Sequence, residues 1–131
     1  SADLTARLAA MAAASAGWPL DELAARLAGA LIDFRASHPS FERLIDTPGA
    51  PQAVVLDVRR GMRQQLGDIL APHASALDRP RLLAVATVVQ QVMKSAVALN
   101  NDPAAESPAA AAAALAELRG MLKTYLKTAL A

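Results

Sequence analysis

Few side chains in this sequence are of the types that carry out chemistry, and they stand apart from one another. The 131 residues include no cysteine and two histidines, His38 and His73. A lone histidine cannot complete a metal site, and neither histidine has a second ligand at the spacing that zinc requires. We interpret both as capping or solvent-facing residues and expect no bound metal.

Catalytic motifs are also absent from the sequence. It contains no cysteine nucleophile, no glycine-rich phosphate loop, no HExxH pair and no pair of carboxylates on an evidently buried helix face. Glu22 and Asp33 fit ordinary exposed charges. The sequence therefore predicts neither an enzyme nor a protein that needs a cofactor.

One amide and three thioether side chains are candidates for a binding site. Gln90 interrupts an otherwise apolar helical face, and a buried amide must find hydrogen-bond partners. Those partners are either a ligand or the equivalent residue across an interface between two chains. Met11, Met62 and Met93 fit a hydrophobic core, although flexible thioethers also line adaptable apolar pockets.

The charge balance argues against nucleic acid and membrane as partners of this chain alone. Thirteen basic and twelve acidic residues leave a net charge of +1, and the arginines between residues 59 and 63 fit a solvated helix face. The most apolar stretch, residues 80–100, contains Gln90 and Lys94, which are costly within a bilayer. We expect a cytoplasmic protein, in keeping with the absence of cysteine.

Proline and glycine divide the sequence into six predicted helices. Apolar residues recur at helical spacing, and alanine supplies much of the 54% hydrophobic fraction, which indicates an all-α fold. We expect one domain, residues 1–131, built as a six-helix antiparallel bundle and forming a fragment of a longer protein. The predicted helices span residues 2–15, 19–38, 39–45, 51–70, 80–100 and 108–130.

One helix is stopped and restarted within the segment DFRASHPSFERLI, residues 33–45. Pro39 lacks an amide donor and disfavours helical geometry at His38, so the preceding helix must end there. Phe34 and Phe41, the only phenylalanines in the chain, flank this break. Two large rings at one corner can form the wall of a cavity.

The helix predicted for residues 80–100 has two apolar faces, and each needs a covering partner. Such a helix is either central in its own domain or shared with another subunit. The last helix adds a broad apolar stripe. The two apolar faces of helix 80–100 consist of Leu82, Val85, Val89, Val92, Ala96 and Leu99, and of Leu83, Ala86, Gln90, Met93 and Val97.

These segments together resemble the ligand-binding part of tetracycline-repressor-type (TetR family) transcription regulators. The resemblance rests on DFRASHPSFERLI, on the long apolar helix and on ELRGMLKTYL near the C-terminus, and it covers nearly the whole chain. In that family an N-terminal helix-turn-helix domain binds operator DNA, and the following helices form the effector pocket and the dimer interface. The resemblance implies that residues 1–131 are the effector-binding and dimerisation domain of a repressor, and that DNA is bound only through an N-terminal domain outside this sequence.

We predict an apolar pocket at the corner near Phe34, suited to a small hydrophobic or amphipathic effector. Its predicted lining is Met11, Leu31, Phe34, Phe41, Met62, Leu66, Gln90 and Met93. We also predict a symmetric homodimer, in which the last two helices of each chain form a four-helix bundle. Its predicted interface residues are Val85, Val89, Val92, Leu115, Leu118, Leu122, Tyr125 and Leu126.

Two alternatives stay open at this point. The faces of helix 80–100 can be exchanged, in which case Gln90 moves to the dimer interface. The chain can also be a structural helical bundle that binds a partner protein and no small molecule. A closed apolar cavity would favour the sensor, whereas packing at ordinary interior density would favour the structural module.

Overall fold

The computed structural model describes residues 2–38 and 52–131. These residues contain helices and no strand, which confirms the predicted all-α class. The short helix predicted for residues 39–45, and Phe41 with it, lies outside the described residues, so five α-helices are seen where six were predicted. They are α1 (Ala2–Ala14), α2 (Leu20–Ser37), α3 (Gln52–Leu70), α4 (Arg79–Asn100) and α5 (Pro108–Ala129), with 3-10 helices at Ser15–Gly17 and Ala71–His73.

Capping side chains explain where α4 and α5 begin. The Asp78 carboxylate accepts a hydrogen bond from the backbone N–H of Arg81 at 2.9 Å, and the Ser107 hydroxyl accepts one from the N–H of Ala110 at 3.0 Å. In both helices a proline occupies the first turn. Backbone N–H groups in that turn have no hydrogen-bond partner within the helix, so the N–H that proline lacks costs nothing there. The predicted starts of these helices are confirmed.

The end of α2 is also confirmed. Its last residue is Ser37, and His38 has left helical geometry with φ −135° and ψ 69°. The residue that precedes a proline is disfavoured in the α region, so Pro39 accounts for this boundary. The His38 ring then packs on the last turn of the helix, with its Nδ1 3.0 Å from the carbonyl oxygen of Phe34.

Helix α4 is the central element of the fold. It packs against α2, α3 and α5, while α1 packs mainly on α3 and α2 also contacts α5. Both predicted apolar faces of α4 contribute buried residues, such as Val89 on one and Met93 on the other. The helix is long and apolar enough to cross a membrane by length and composition, but burial inside this domain accounts for that character.

Candidate functional site

Most of the predicted pocket residues meet in one continuous hydrophobic core. Five of the eight predicted residues are buried members of the same cluster. Met11 is partly buried and packs against that cluster. These six residues come from α1, α2, α3 and α4. The predicted convergence is therefore observed, while the role of these side chains as ligand contacts stays a prediction. The five buried members are Leu31, Phe34, Met62, Leu66 and Met93.

Phe34 lies where this core meets the polar end of α1. Its ring is fully buried and stacks on the ring of His38, with 4.3 Å between centroids and an interplanar angle of 15°. The guanidinium carbon of Arg7 lies 5.7 Å from the Phe34 ring centroid. The corner predicted from the DFRASHP segment therefore has an aromatic centre covered by an imidazole and a cation.

Gln90 finds its hydrogen-bond partners within its own chain. Its Nε2 donates to the backbone oxygen of Arg59 at 2.9 Å, and its Oε1 accepts from Nε and Nη2 of Arg63, both at 3.3 Å. The side chain is 3% exposed. The amide thus joins α4 to α3. The sequence analysis did not suggest α3 as the partner of this side chain. Arg63, expected on a solvated face, is half-buried because its guanidinium reaches this amide.

We expect Gln90→Ala to lower the free energy of unfolding by about 2 kcal/mol, because it opens buried space and removes the hydrogen bonds of the amide to Arg59 and Arg63. Urea denaturation followed by circular dichroism measures the loss. The adjacent exposed residue provides a matched control, since Gln91→Ala should change stability by less than about 0.5 kcal/mol. Equal losses in the two variants would contradict a stabilising bridge.

The two histidines have structural partners. Nε2 of His73 lies 2.9 Å from the backbone oxygen of Ser15 and so links the two 3-10 helices. His38 contacts the carbonyl of Phe34 and, through Nε2, the carboxylate of Asp3. Within residues 2–38 and 52–131, no group of three or more His, Cys, Asp or Glu side chains is placed to hold a metal ion.

Two open grooves lie on the surface of the described part of the chain. One, of about 450 Å³, separates α1 from α3, and the other, of about 660 Å³, runs along α5 beside the end of α4. Neither groove is the closed cavity that we predicted. Met62, in the smaller groove, is the one residue of the predicted lining that borders either of them. The smaller groove is lined by Leu4, Thr5, Asp57, Val58, Gly61, Met62 and Gln65, and the larger by Leu99, Ala114, Glu117, Leu118, Gly120, Met121, Thr124 and Tyr125.

Most of the predicted interface residues are covered by their own chain. Because α4 is central, the side of α5 that faces it is buried without a second subunit. These side chains are therefore not on the surface that a single chain offers to a partner. The residues concerned are Val85, Val89, Leu115, Leu122 and Leu126.

The exposed apolar side chains of α4 and α5 lie next to the predicted interface residues. Met121 is 64% exposed and Val88 is 42% exposed, and neither was among the predicted interface residues. Val92, Leu118 and Tyr125, which were predicted, are half-buried. A spacing signal did exist in the sequence, since Val88 lies four residues before Val92 and Leu99 lies seven after it, which places Val88 at the edge of the first predicted apolar face of α4.

A family model described as "tetracyclin repressor-like, C-terminal domain" matches residues 19–126. No curated protein and no solved structure matches the chain. The matched region begins just before α2 and ends within α5, so it includes the central helix, the core corner at Phe34 and the apolar surface of α5. The chain belongs to the family of tetracycline-repressor-like C-terminal domains.

Proposed function

We propose that this chain is the effector-sensing and dimerisation domain of a TetR-type transcriptional regulator. A small hydrophobic or amphipathic ligand controls DNA binding by an N-terminal helix-turn-helix domain. The family match over residues 19–126 is the observation that carries this proposal. In the mechanism, the ligand favours one of two arrangements of the domains and so changes the separation of the two DNA-binding heads.

The proposed effector site is the core corner around Phe34. The side chains of its core are apolar, while His38, Arg7 and Gln90 supply polar groups at its edge, which suits a hydrophobic or amphipathic ligand. Because these residues pack against one another, ligand entry requires some of them to change rotamer, and the flexible thioethers of Met62 and Met93 are suited to that movement. Met62 lines the groove between α1 and α3 and also belongs to the core, so we place the entry there.

The proposed dimer forms through the exposed apolar side of α4 and α5. The groove of about 660 Å³ lies beside the exposed Met121 side chain. A two-fold axis through this surface places Met121 of each chain against the groove of the other. Gly120 lines the groove, and there is open space within 4 Å of the position that a Cβ would occupy. Because glycine has no side chain to fill that space, a helix of the second chain can approach closely at this point.

The effector site is tested by thermal unfolding of this chain with a panel of hydrophobic and amphipathic compounds. A ligand at about 100 times its Kd stabilises the folded state by about 2.7 kcal/mol, which a melting curve resolves readily. We expect Met93→Trp, whose larger side chain occupies the space that a ligand would have to open, to abolish the shift, while circular dichroism and sedimentation check that the variant is folded and keeps the mass of the wild type.

The matched control for this experiment is Val54→Trp, since Val54 is an exposed residue of α3 outside the core. This variant should show the same ligand-induced shift as the wild type. If a compound stabilises the wild type and both variants equally, the effector site lies elsewhere in the chain.

A second candidate function is a structural helical bundle that binds a partner protein and no small molecule. The observation in its favour is the close packing of the predicted lining, in which Phe34, Leu66 and Met93 are fully buried. Under this alternative no compound in the panel raises the melting temperature. The same ligand screen therefore separates the two functions.

A further inference from the structure

A polar cluster joins the first turn of α1 to the end of α2, and the proposed function makes no use of it. Nε2 of His38 lies 2.5 Å from Oδ2 of Asp3, and Nε of Arg7 lies 3.8 Å from the same oxygen. The other ring nitrogen of His38 lies 3.0 Å from the carbonyl oxygen of Phe34. One imidazole thus connects the two helices, while α1 otherwise packs mainly on α3.

These two contacts together require two N–H donors on the ring of His38. Both facing atoms are oxygens that accept hydrogen bonds, one from a carboxylate and one from a backbone carbonyl. A neutral imidazole carries a single N–H and leaves a nitrogen lone pair against the other oxygen. The imidazolium donates at both positions and adds charge attraction to Asp3. Only the protonated ring makes both contacts in full.

The ring and the carboxylate that it contacts are both open to solvent. The side chains of His38 and Asp3 are 30% and 52% exposed, so protons exchange with solvent. Among the described residues, the charged side chains in this cluster are Asp3 and Arg7, both on α1. The Arg7 guanidinium opposes a positive charge on His38, but it lies on the Phe34 ring and is farther from Asp3 than the imidazole is.

We propose that His38 is a proton-dependent clasp that holds the first turn of α1 to the end of α2. Protonation adds the second hydrogen bond, so the clasp contributes more to stability when the imidazole is charged than when it is neutral. In the proposed regulator the clasp would make the attachment of α1 to the rest of the sensing domain depend on pH. That consequence rests on the proposed function, whereas the clasp itself does not.

The test is a double-mutant cycle on this chain, with Asp3→Asn, His38→Gln and the double variant melted at about pH 5.5 and about pH 8.5, on either side of the usual histidine range. At the lower pH we expect each single variant to lose about 3 °C in melting temperature, and the double variant to lose no more than either single. At the higher pH the losses should fall below about 1 °C.

His73 provides the matched control. It is the only other histidine of the chain, and its one hydrogen-bond contact in the described structure is to the backbone oxygen of Ser15. A single acceptor is satisfied by the neutral ring, so His73→Gln should lose no more at the lower pH than at the higher. Equal losses for His38→Gln at both pH values, or additive losses in the cycle at the lower pH, would overturn the clasp.

Nuclear magnetic resonance of the imidazole nitrogens gives a readout that does not depend on stability. At the lower pH we expect both ring N–H protons of His38 to exchange slowly with water, because each is held in a hydrogen bond. Rapid exchange at both positions, in a chain that is otherwise folded, would show that the ring is free in solution and would also overturn the proposal.

Discussion

Met121→Glu is expected to convert a dimer of this chain into a folded monomer. Met121 is 64% exposed in the single chain, so the substitution costs the monomer little. In the proposed dimer two copies of the new carboxylate enter the apolar centre of the interface, where an unpaired charge is strongly disfavoured. We expect dissociation to become at least about 100-fold easier, which corresponds to about 3 kcal/mol.

Sedimentation equilibrium at tens of micromolar measures this change. The wild type should have twice the chain mass of 13.6 kDa, and the variant should have the chain mass itself. Val54→Glu is the matched control, because Val54 is 47% exposed but lies on α3, away from the proposed interface. A monomeric wild type would contradict the proposed dimer, and dissociation of the Val54→Glu variant would place the interface on another surface.

The same experiment distinguishes surface from core on α5. Leu122 was predicted at the interface, but its side chain is buried against its own chain. A charge at this position should unfold the domain and not merely dissociate it, because the carboxylate has no route to solvent. Circular dichroism separates the two outcomes, since the Met121→Glu monomer should keep its helical spectrum.

Phe34→Ala is expected to lower the free energy of unfolding by about 3–5 kcal/mol. The Phe34 ring is fully buried in the core cluster, and the substitution removes both apolar burial and the stacking partner of His38. Total stabilities of small domains are about 5–15 kcal/mol, so the variant should be close to unfolding at moderate temperature.

Guanidinium denaturation followed by circular dichroism measures this loss, and Phe34→Leu is the matched control. Leucine keeps most of the apolar volume, so it should cost about 1 kcal/mol. The alanine variant also leaves an apolar cavity of the kind that binds benzene, which should raise its melting temperature and leave that of the leucine variant unchanged. A loss below about 1 kcal/mol for alanine would show that Phe34 does not hold this corner together.

The helix boundaries of this domain could be predicted because they are local properties of the chain. Asp78 and Ser107 cap the helices that follow them, and Pro39 excludes His38 from the helix that precedes it. Each of these effects acts over at most four residues. The all-α class follows equally from the 3.6-residue period of the apolar positions, and the family resemblance depends on the same segments.

Membership of the core corner could also be predicted in large part. Phe34, Leu66 and Met93 lie on apolar faces of three different helices, and each of those faces must be buried. Periodicity shows which side of a helix is buried but not which neighbour buries it. The convergence of these residues was therefore predictable, whereas the helix that covers each of them was not.

Only the tertiary structure decided which apolar faces are covered by the chain itself. The central position of α4 depends on its simultaneous contacts with its two neighbours in the chain, α3 and α5, and with α2, which lies more distant in sequence. That arrangement buries Leu122, leaves Met121 exposed one residue away, and gives the Gln90 amide a partner 27 residues back at Arg63. Such choices depend on the angles and distances at which whole helices pack, and no local pattern of residue types encodes those angles.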